Sequence, residues 1–168
     1  SLDSTIKDEI ELSLDNTDLL IYAKDRRSGV NKPLDSNWTV DFLDVISTHK
    51  NVAGYMTGID TSATVTGPEG LSQPLMSWFA YTGGDEWSLI GGEDGIAFDD
   101  IGQGVVLNQV AADEIEAVNG DVVELSWYVT DDQGKRVRLE GNLSVVKVVP
   151  NLGLGAMAGT RSPAMVTT

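Results

Sequence analysis

The sequence predicts an all-β protein built as a β-sandwich, and three observations favour this class. Short strand patterns recur at regular spacing, Gly-rich turns separate them, and few stretches have helical periodicity. The strongest pattern is "NGDVVELSWYVTDDQGKRVRLEGNLSVVKVV" at 119–149. A jelly-roll strand order stays open as an alternative, because periodicity does not encode the order of strands in a sheet.

Residues 119–149 have the pattern of two long strands joined by a tight polar turn. In the first strand, Val123, Leu125 and Trp127 alternate with polar residues, which is typical of a strand with one buried face. The turn "DDQG" (131–134) ends in Gly134, which can adopt positive φ. We expect Gly141 to mark a bulge in the second strand. The apolar residues of that strand are Val137, Leu139, Leu143, Val145 and Val148.

Three further strand patterns occupy the middle of the chain. "WTVDFLDVI" (38–46) places alternate apolar residues on one face, and "TSATVTG" (61–67) is a run of small β-forming residues. "QPLMSWFAYTGG" (73–84) is apolar on both faces, with Leu75, Phe79 and Tyr81 opposite Met76 and Trp78. Such a strand is covered on both sides, so we expect it to be central or to lie under a partner protein.

The N-terminal part is less regular. Residues 2–14 fit either a helix, through Ile6, Ile10 and Leu14, or a strand at 9–14, through the alternation of Ile10 with Leu12. "LLIYA" (19–23) predicts a buried strand. The polar stretch 24–37 that follows predicts a long loop, and it carries the main basic patch: Lys24, Arg26, Arg27 and Lys32.

The remaining segments predict short elements and a tail. Residues 85–104 are rich in Gly and predict short strands and loops, and 111–118 predict one helical turn ended by Asn119-Gly120. Residues 151–168 have no acidic residue and little periodicity. We therefore divide the chain into a β-sandwich domain at 1–150 and an extended C-terminal arm at 151–168, which a neighbouring subunit would hold.

Composition excludes several kinds of site and partner. The chain has no cysteine, which excludes disulfides and thiolate metal sites, and it has no apolar run of the roughly 18 residues that span a bilayer. Its 11 basic and 26 acidic residues give a formal net charge of −15. Between Lys50 and Lys135 there is no Lys or Arg, but there are 15 acidic residues. Such a surface repels phosphate, so we expect neither nucleic acid nor membrane as a partner.

The stretch "VAADEIEAVNGDVVELSWYVTDDQGKRVRLEGNLSVVKV" resembles the closing half of an immunoglobulin-like β-sandwich repeat, found in bacterial surface proteins and phage virion proteins. The matching features are a helical turn before Asn119-Gly120, the Tyr128-Val129-Thr130 end of a strand, the Gly134 turn, and a valine-rich last strand. The resemblance lies mainly within residues 111–149. It implies a Greek-key, immunoglobulin-like fold, and no catalytic residues, because the family carries no standard active site.

Three groups of residues are candidates for chemistry. His49 is the chain's one histidine, and it stands in a predicted loop without a nucleophile motif nearby. Carboxylates on a Gly-rich stretch are weak candidates for binding Ca²⁺. They are Glu93, Asp94, Asp99 and Asp100, joined by Asp131 and Asp132 if the loops meet. The alternative reading of these carboxylates is solvated turn residues.

The four tryptophans could stack on sugars, although aromatic residues in strands are more often core. Of these, Trp127 fits the core best, because it lies in an alternating strand, and Trp87 fits a surface aromatic best. The other two are Trp38 and Trp78.

These observations lead us to expect a non-enzymatic structural protein of a phage virion without a cofactor. Within that class we favour a capsid decoration or minor capsid protein over a tail-tube or other tail protein. A carbohydrate-binding or adhesin module at the bacterial surface is the alternative from another class. We expect synthesis in the host cytoplasm and contact with other virion subunits and with copies of itself. The expected contact residues are Arg26, Arg27, Lys32, Trp87 and Arg161.

Overall fold

The computed structural model describes residues 23–24, 31–32, 36–84, 101–131, 133–151, 158–159 and 161–168. Two helices occur in these ranges, α1 (Ser36–Ser47) and α2 (Gln109–Glu114). Two short strands, β1 (Ala23–Lys24) and β2 (Asn31–Lys32), form an antiparallel pair of their own. The other strands are β3 (Met56–Thr66), β4 (Ser72–Gly84), β5 (Gly104–Asn108), β6 (Val122–Thr130), β7 (Arg136–Val149) and β8 (Ala164–Thr167).

Strands β3 to β8 form a closed barrel in the order β3-β4-β8-β5-β7-β6. The β4–β8 and β5–β7 pairs are parallel, and the other pairs are antiparallel. The all-β prediction is confirmed. The immunoglobulin-like sandwich is not confirmed, because β8 lies between β4 and β5 and joins the strands into one closed sheet.

The main core fills the barrel interior. Val65, Met76, Val105, Leu107, Val123 and Val145 are fully buried there, and Met165 of β8 is 1% exposed. All five residues of β5 and all four of β8 are buried. Both strands therefore contribute apolar area on two faces, as is usual for strands in parallel pairs.

Helix α2 closes one end of the barrel. Ala111, Ala112 and Ile115 belong to the interior core, and Gly67 of the β3–β4 turn approaches the Ile115 carbonyl. A Cβ atom at Gly67 would lie 1.9 Å from that oxygen, so this position requires glycine. We call this the closed end. The β3–β4 turn, α2 and the residues that precede β6 all lie there.

Asn108 fixes the closed end through three side-chain hydrogen bonds to two segments of the chain. Its side chain is 2% exposed, and its Oδ1 accepts from Ala111 N–H (2.9 Å) and from Ala164 N–H (3.0 Å). Its Nδ2 donates to the Ser162 carbonyl (2.8 Å). The first bond caps α2, and the other two hold the chain where it enters β8.

A second apolar cluster lies on the outer face of the barrel. It comprises Tyr81, Ile101, Val106, Val149 and Val166, with Met56 and Phe79 packed against it. Strand β4 thus contributes Met76 to the interior core and Tyr81 to the outer cluster. This agrees with the prediction of a strand covered on both faces, except at Leu75, which is exposed where the β3–β4 register shifts.

At the opposite end, which we call the open end, the strands separate. Strand β6 pairs with β3 through Glu124, Leu125 and Ser126, and β7 joins β5 from Ser144 onward. Four further β6–β7 pairs, Trp127↔Leu139 to Thr130↔Arg136, lie beyond these points. We call residues 127–139 the ribbon. No described strand pairs with its outer edges.

The structure corrects the predicted arm. Residues 164–167 are not an extended segment held by a neighbour. They are β8, the strand that closes the barrel. Four residues were too few to show a period in the sequence, but Ala164, Met165 and Val166 find apolar neighbours on both faces of the sheet. Residues 152–157 and 160 of the predicted arm lie outside the described residues.

The predicted strand at 38–46 is also wrong, because this segment belongs to helix α1. The alternation covered too few residues to fix a period. The partly buried residues Phe42, Leu43 and Ile46 follow a helical spacing, whereas Val40 and Val45 are 59% and 63% exposed. Helix α2 begins at Gln109, two residues before the predicted turn at 111–118, and Asn108 caps it.

The predicted hairpin at 119–149 is confirmed as β6 and β7, and Gly134 has φ of 78°. The expected bulge at Gly141 is not present, because Gly141 pairs with Leu125 in unbroken register. Neither of the two described helices has the length and apolar run that crossing a membrane requires. The predicted strands at 9–14 and 19–22 and the segment 85–100 lie outside the described residues.

Candidate functional site at the open end of the barrel

A pocket of about 180 Å³ opens between the separating strands at the open end. Its apolar wall is formed by Trp78, Leu125, Trp127 and Leu143. Its polar rim contains Gln103, Thr167 and Thr168. Each strand of the barrel except β3 contributes at least one lining residue, so the pocket is the unfilled top of the barrel interior.

The two tryptophans of the pocket pack against each other. The Trp78 and Trp127 ring centroids lie 5.3 Å apart with the planes at 82°, an edge-to-face arrangement. Trp78 Nε1 donates to Thr167 Oγ1 (2.9 Å), which fixes that ring to β8. The strands therefore hold both rings in set orientations, as a preformed contact surface requires.

Gly141 leaves space beside Trp127. A Cβ atom built at Gly141 would lie 3.7 Å from Cη2 of Trp127, an ordinary contact distance. On the face of β7 that points into the barrel, Gly141 stands between Leu139 and Leu143. The missing side chain widens the pocket between these two leucines.

The ribbon continues the apolar face of the barrel interior past the pocket. Trp127 and Val129 follow Leu125 on β6, and they pair with Leu139 and Val137 of β7. Val129 and Leu139 are 39% and 38% exposed. The interior face of the barrel thus becomes a solvent-accessible apolar strip above the pocket.

The opposite face of the ribbon is aromatic and charged. Tyr128 is 54% exposed, and the guanidinium carbon of Arg136 lies 4.1 Å from the centre of its ring. Arg138 pairs with Glu140 at 3.1 Å, with both side chains exposed. An exposed ion pair of this kind contributes at most about 1 kcal/mol to stability. The stability of the fold therefore depends little on this pair.

The turn at the tip of the ribbon is held by Asp131. Its Oδ1 accepts hydrogen bonds from Gln133 N–H (3.0 Å) and Lys135 N–H (2.8 Å), and Asp131 N–H donates to the Lys135 carbonyl (2.9 Å). These bonds give the exposed tip a defined shape. They also occupy the Asp131 carboxylate, whose expected role in a Ca²⁺ site is not supported by a second described ligand group.

The closed end carries a group of acidic residues. Glu69, Asp113, Glu114, Glu116 and Asp121 lie in the β3–β4 turn, in and after α2, and before β6. Asp113 accepts from Gln109 Nε2 (2.7 Å), and Asp121 accepts from Val118 N–H (2.8 Å). Two basic residues, Arg161 in the turn before β8 and Lys147 on β7, lie in segments that reach the same end.

Two residues near the closed end have left-handed backbone conformations that are rare for residues other than glycine. Leu75 has φ of 58° and is 78% exposed, and Glu116 has φ of 50° and is also exposed. For a bulky residue this conformation costs roughly 1–2 kcal/mol. Leu75 offsets none of that cost by burial.

One carboxyl on the barrel wall has a shifted pKa. Partial burial raises the pKa of Asp60 on β3 above its usual value, because desolvation disfavours the charged form. Asp60 lies opposite Phe79 in the β3–β4 register. The isolated carboxyl is not part of a pair that could act as general acid and base.

Of the predicted contact residues, the structure describes Arg161, which is exposed near the closed end, and Lys32, which lies in β2. Arg26, Arg27 and Trp87 lie outside the described residues, as do the Ca²⁺ candidates Glu93, Asp94, Asp99 and Asp100. Within the described ranges, no three His, Asp or Glu residues are grouped closely enough to hold a metal ion.

His49 is an exposed residue beyond the end of α1. Its Nδ1 accepts a hydrogen bond from Asn51 N–H at 3.3 Å, and its carbonyl accepts from Val52 N–H. These are contacts of a local turn. No described acidic side chain is hydrogen-bonded to the imidazole, as a catalytic triad would require.

Sequence reasoning placed Trp127 in the core and did not pair it with Trp78. Both rings are half-buried at the pocket rather than enclosed. The two residues are 49 positions apart, and no local pattern joins them. The signal that could have found the ribbon was Tyr128 beside Arg136 and Arg138, since exposed aromatic and arginine residues are enriched at protein contacts.

Neither a protein-family model nor a curated protein sequence matches this chain. The functional assignment therefore depends on the geometry of the two ends of the barrel.

Proposed function

We propose that this chain is a non-enzymatic structural protein of a phage virion, a capsid decoration or minor capsid protein that binds neighbouring subunits. The observation that carries the proposal is the ribbon. Its Val129 and Leu139 side chains form an exposed apolar strip, and its Tyr128 is stacked under Arg136. Exposed apolar side chains grouped in this way mark contact surfaces.

The backbone of the ribbon supports the same role. A strand edge with unpaired N–H and C=O groups can accept a strand from another chain, and proteins that stay monomeric usually protect such edges. The described edges of the ribbon are not covered by another strand of the barrel. Contacts in an assembly would pair these groups.

The charge of the chain favours protein partners over phosphate. A formal net charge of −15 repels a packaged genome and keeps an abundant subunit soluble before assembly. A position on the outside of a particle suits this surface. The predicted basic patch at Arg26, Arg27 and Lys32 belongs to the same proposal as a second contact region.

The resemblance of residues 111–149 to immunoglobulin-like repeats supplies the virion setting. The resembling features lie in α2, β6 and β7, which include the ribbon. A relationship to immunoglobulin-like sandwiches is part of the proposal, with β8 as the element that gives this chain its barrel. A tail-tube protein is the alternative within this class, in which copies of the same barrel would stack into a tube.

A carbohydrate-binding module is the second candidate, and the tryptophan pocket is the observation that favours it. Trp78 and Trp127 could stack against a sugar ring. However, the pocket measures about 180 Å³, whereas small-molecule sites usually measure about 300–1,000 Å³. The size of the pocket therefore favours the insertion of one side chain over the binding of an oligosaccharide.

Immunogold electron microscopy of purified virions from the phage that encodes the chain tests the proposal. Antibodies against the chain should label a fixed position on every particle. The double variant Val129→Ser/Leu139→Ser should be lost from particles, while Val40→Ser/Val45→Ser, which changes exposed valines on α1, should be retained. Purified virions that lack the chain would contradict the proposal.

A glycan array separates the second candidate from the first. Saturable sugar binding that Trp127→Ala abolishes would favour the carbohydrate-binding module. Absence of binding to the array, together with labelled virions, would leave the structural role.

A further inference from the structure

We propose that this chain associates with itself head to tail, the ribbon and pocket of one copy contacting the closed end of the next. The inference rests on the proposed structural role and names the partner of the ribbon. It follows from the distribution of charge and of exposed apolar side chains between the two ends of the barrel.

The open end offers cations around an apolar pocket. Lys135, Arg136 and Arg138 are three of the chain's eleven basic residues, and they fall within four positions of the ribbon. Arg138 is paired with Glu140, which leaves Lys135 and Arg136 without an ion pair within the described residues. The apolar strip of Val129 and Leu139 leads from this group down to the pocket. A partner for this surface must supply carboxylates beside an apolar projection.

The closed end supplies both features. Glu114 and Glu116 are exposed, and neither forms an ion pair within the described residues. Leu75 projects from β4 near the same end, with 78% of its surface exposed. Leu71 and Val118 add exposed apolar area at that end, at 43% and 64%.

Leu75 and Glu116 both present a side chain to solvent near the closed end. Both residues hold positive φ. Leu75 lies where the register between β3 and β4 shifts, and Glu116 follows the C-cap Ile115 of α2, where Ala117 N–H donates to the Ala112 carbonyl. The local fold thus places one apolar and one acidic side chain on the surface that a second copy would contact.

Charge selects the orientation of the two copies. Two ribbons facing each other would bring Lys135 and Arg136 of both copies together, and two closed ends would bring together Glu114 and Glu116. A contact between unlike ends places these cations opposite these carboxylates. This complementarity also offsets the general repulsion between copies that each carry a net charge of −15.

A contact between unlike ends is heterologous, so each copy keeps one free end for a further copy. Such contacts produce a ring when the rotation between copies closes, and a filament when it does not. Either product suits a subunit of a symmetric particle.

Mixing two complementary variants tests the inference directly. Arg136→Glu/Arg138→Glu alters the open end and leaves the closed end intact. Glu114→Lys/Glu116→Lys alters the closed end and leaves the open end intact. Each variant alone should sediment as a monomer, with the dissociation constant for self-association raised by about tenfold or more.

An equimolar mixture of the two variants should assemble again, because the intact open end of one variant contacts the intact closed end of the other, and the two altered ends also carry opposite charges. Assembly of the mixture also demonstrates that both variants are folded. Lys50→Glu and Asp41→Lys/Asp44→Lys change exposed charges outside the barrel and should assemble as the wild type does.

A mixture that stays monomeric while the wild type assembles would overturn the head-to-tail contact, as would a wild type that stays monomeric at every soluble concentration in low salt. Neither result affects the labelling of virions, which tests the proposed function separately. Conversely, if the chain assembles with itself but is absent from purified virions, the virion role is contradicted and the head-to-tail contact still stands.

Discussion

The two ends of the barrel differ in how completely the chain itself covers their apolar side chains and backbone hydrogen-bonding groups. At the closed end, α2 covers the interior, and the buried Asn108 bonds to two segments of the chain. At the open end, β3, β6 and β7 separate, and the interior apolar face continues onto the exposed ribbon. Among the described residues, the barrel interior is covered by the chain itself at the closed end, whereas at the open end its apolar face and two strand edges are left uncovered.

This difference indicates that the strands that stabilise the fold and the ribbon that contacts a partner are separate parts of one sheet. Elements with many buried contacts open with free energies near that of global unfolding, whereas exposed elements open locally at lower cost. The closed half of the barrel should therefore determine folding, and the ribbon should be open to change without loss of the fold.

Deletion of residues 164–168 should have the largest effect. It removes β8, whose four residues are buried, and separates β4 from β5. We expect loss of the cooperative thermal transition, followed by far-UV circular dichroism. Removal of Thr168 alone, which gives up a hydrogen bond to the Gly102 carbonyl at the exposed rim, is the control and should preserve the transition. A deletion variant that unfolds at the wild-type temperature would restore the description of this segment as an arm.

A matched pair of leucine substitutions compares the two regions directly. Leu107 in β5 is 0% exposed, and Leu139 in the ribbon is 38% exposed. Leu107→Ala should lower the free energy of unfolding by about 2–5 kcal/mol, because it leaves a cavity in the interior core. Leu139→Ala should lower it by less than about 1 kcal/mol. Urea denaturation measures both values, and similar losses would contradict the division into a stabilising and a contacting half.

Replacement of Leu75 should separate stability from association. Leu75→Asn places a residue that tolerates positive φ at an exposed position, so the free energy of unfolding should stay constant or rise by up to about 1 kcal/mol. Self-association should weaken in sedimentation experiments. Val52→Asn, at an exposed position outside the barrel, controls for the loss of apolar surface. A variant that loses stability and keeps its association would show that Leu75 acts within the monomer.

The pH dependence of Asp60 gives the smallest predicted effect. Because the folded state raises the pKa of Asp60, ionisation of this carboxyl destabilises the fold at pH values above the raised pKa. Below the unfolded-state pKa the carboxyl is protonated in both states and makes no such contribution. Asp60→Asn should therefore unfold at a higher urea concentration than the wild type at neutral pH, and the difference should vanish at acid pH. Asp44→Asn on α1 controls for the loss of one charge, and a difference that grew on acidification would contradict the assignment.

Local patterns were sufficient where partners are close in sequence. The β6–β7 hairpin was predicted from alternation and from Gly134, because each strand pairs with the next across a short turn. The two-sided cover of β4 was predicted from Met76 and Tyr81, because each face is visible in the sequence of one strand.

Local patterns failed where the partner is distant. Strands β5 and β8 are short and buried on both faces, so they show neither alternation nor a turn signal. Their neighbours in the barrel, β7 for β5 and β4 for β8, are separated from them by other elements of the chain. Closure of the barrel was therefore not predictable, and neither was the pocket, since it exists only where Trp78 of β4 meets Trp127 of β6.

Amide hydrogen exchange at two protein concentrations tests the central claim most directly. In dilute solution, amides of β5, β8 and the closed half of β6 should exchange at the rate of global unfolding, and amides of residues 127–139 should exchange much faster. At high concentration the ribbon should gain protection, and so should the amides of the closed-end surface that the ribbon of the next copy contacts. Ribbon amides that are as protected as β5 in dilute solution, or that exchange equally fast at both concentrations, would contradict the claim that one end of this barrel holds the fold and the other holds its partner.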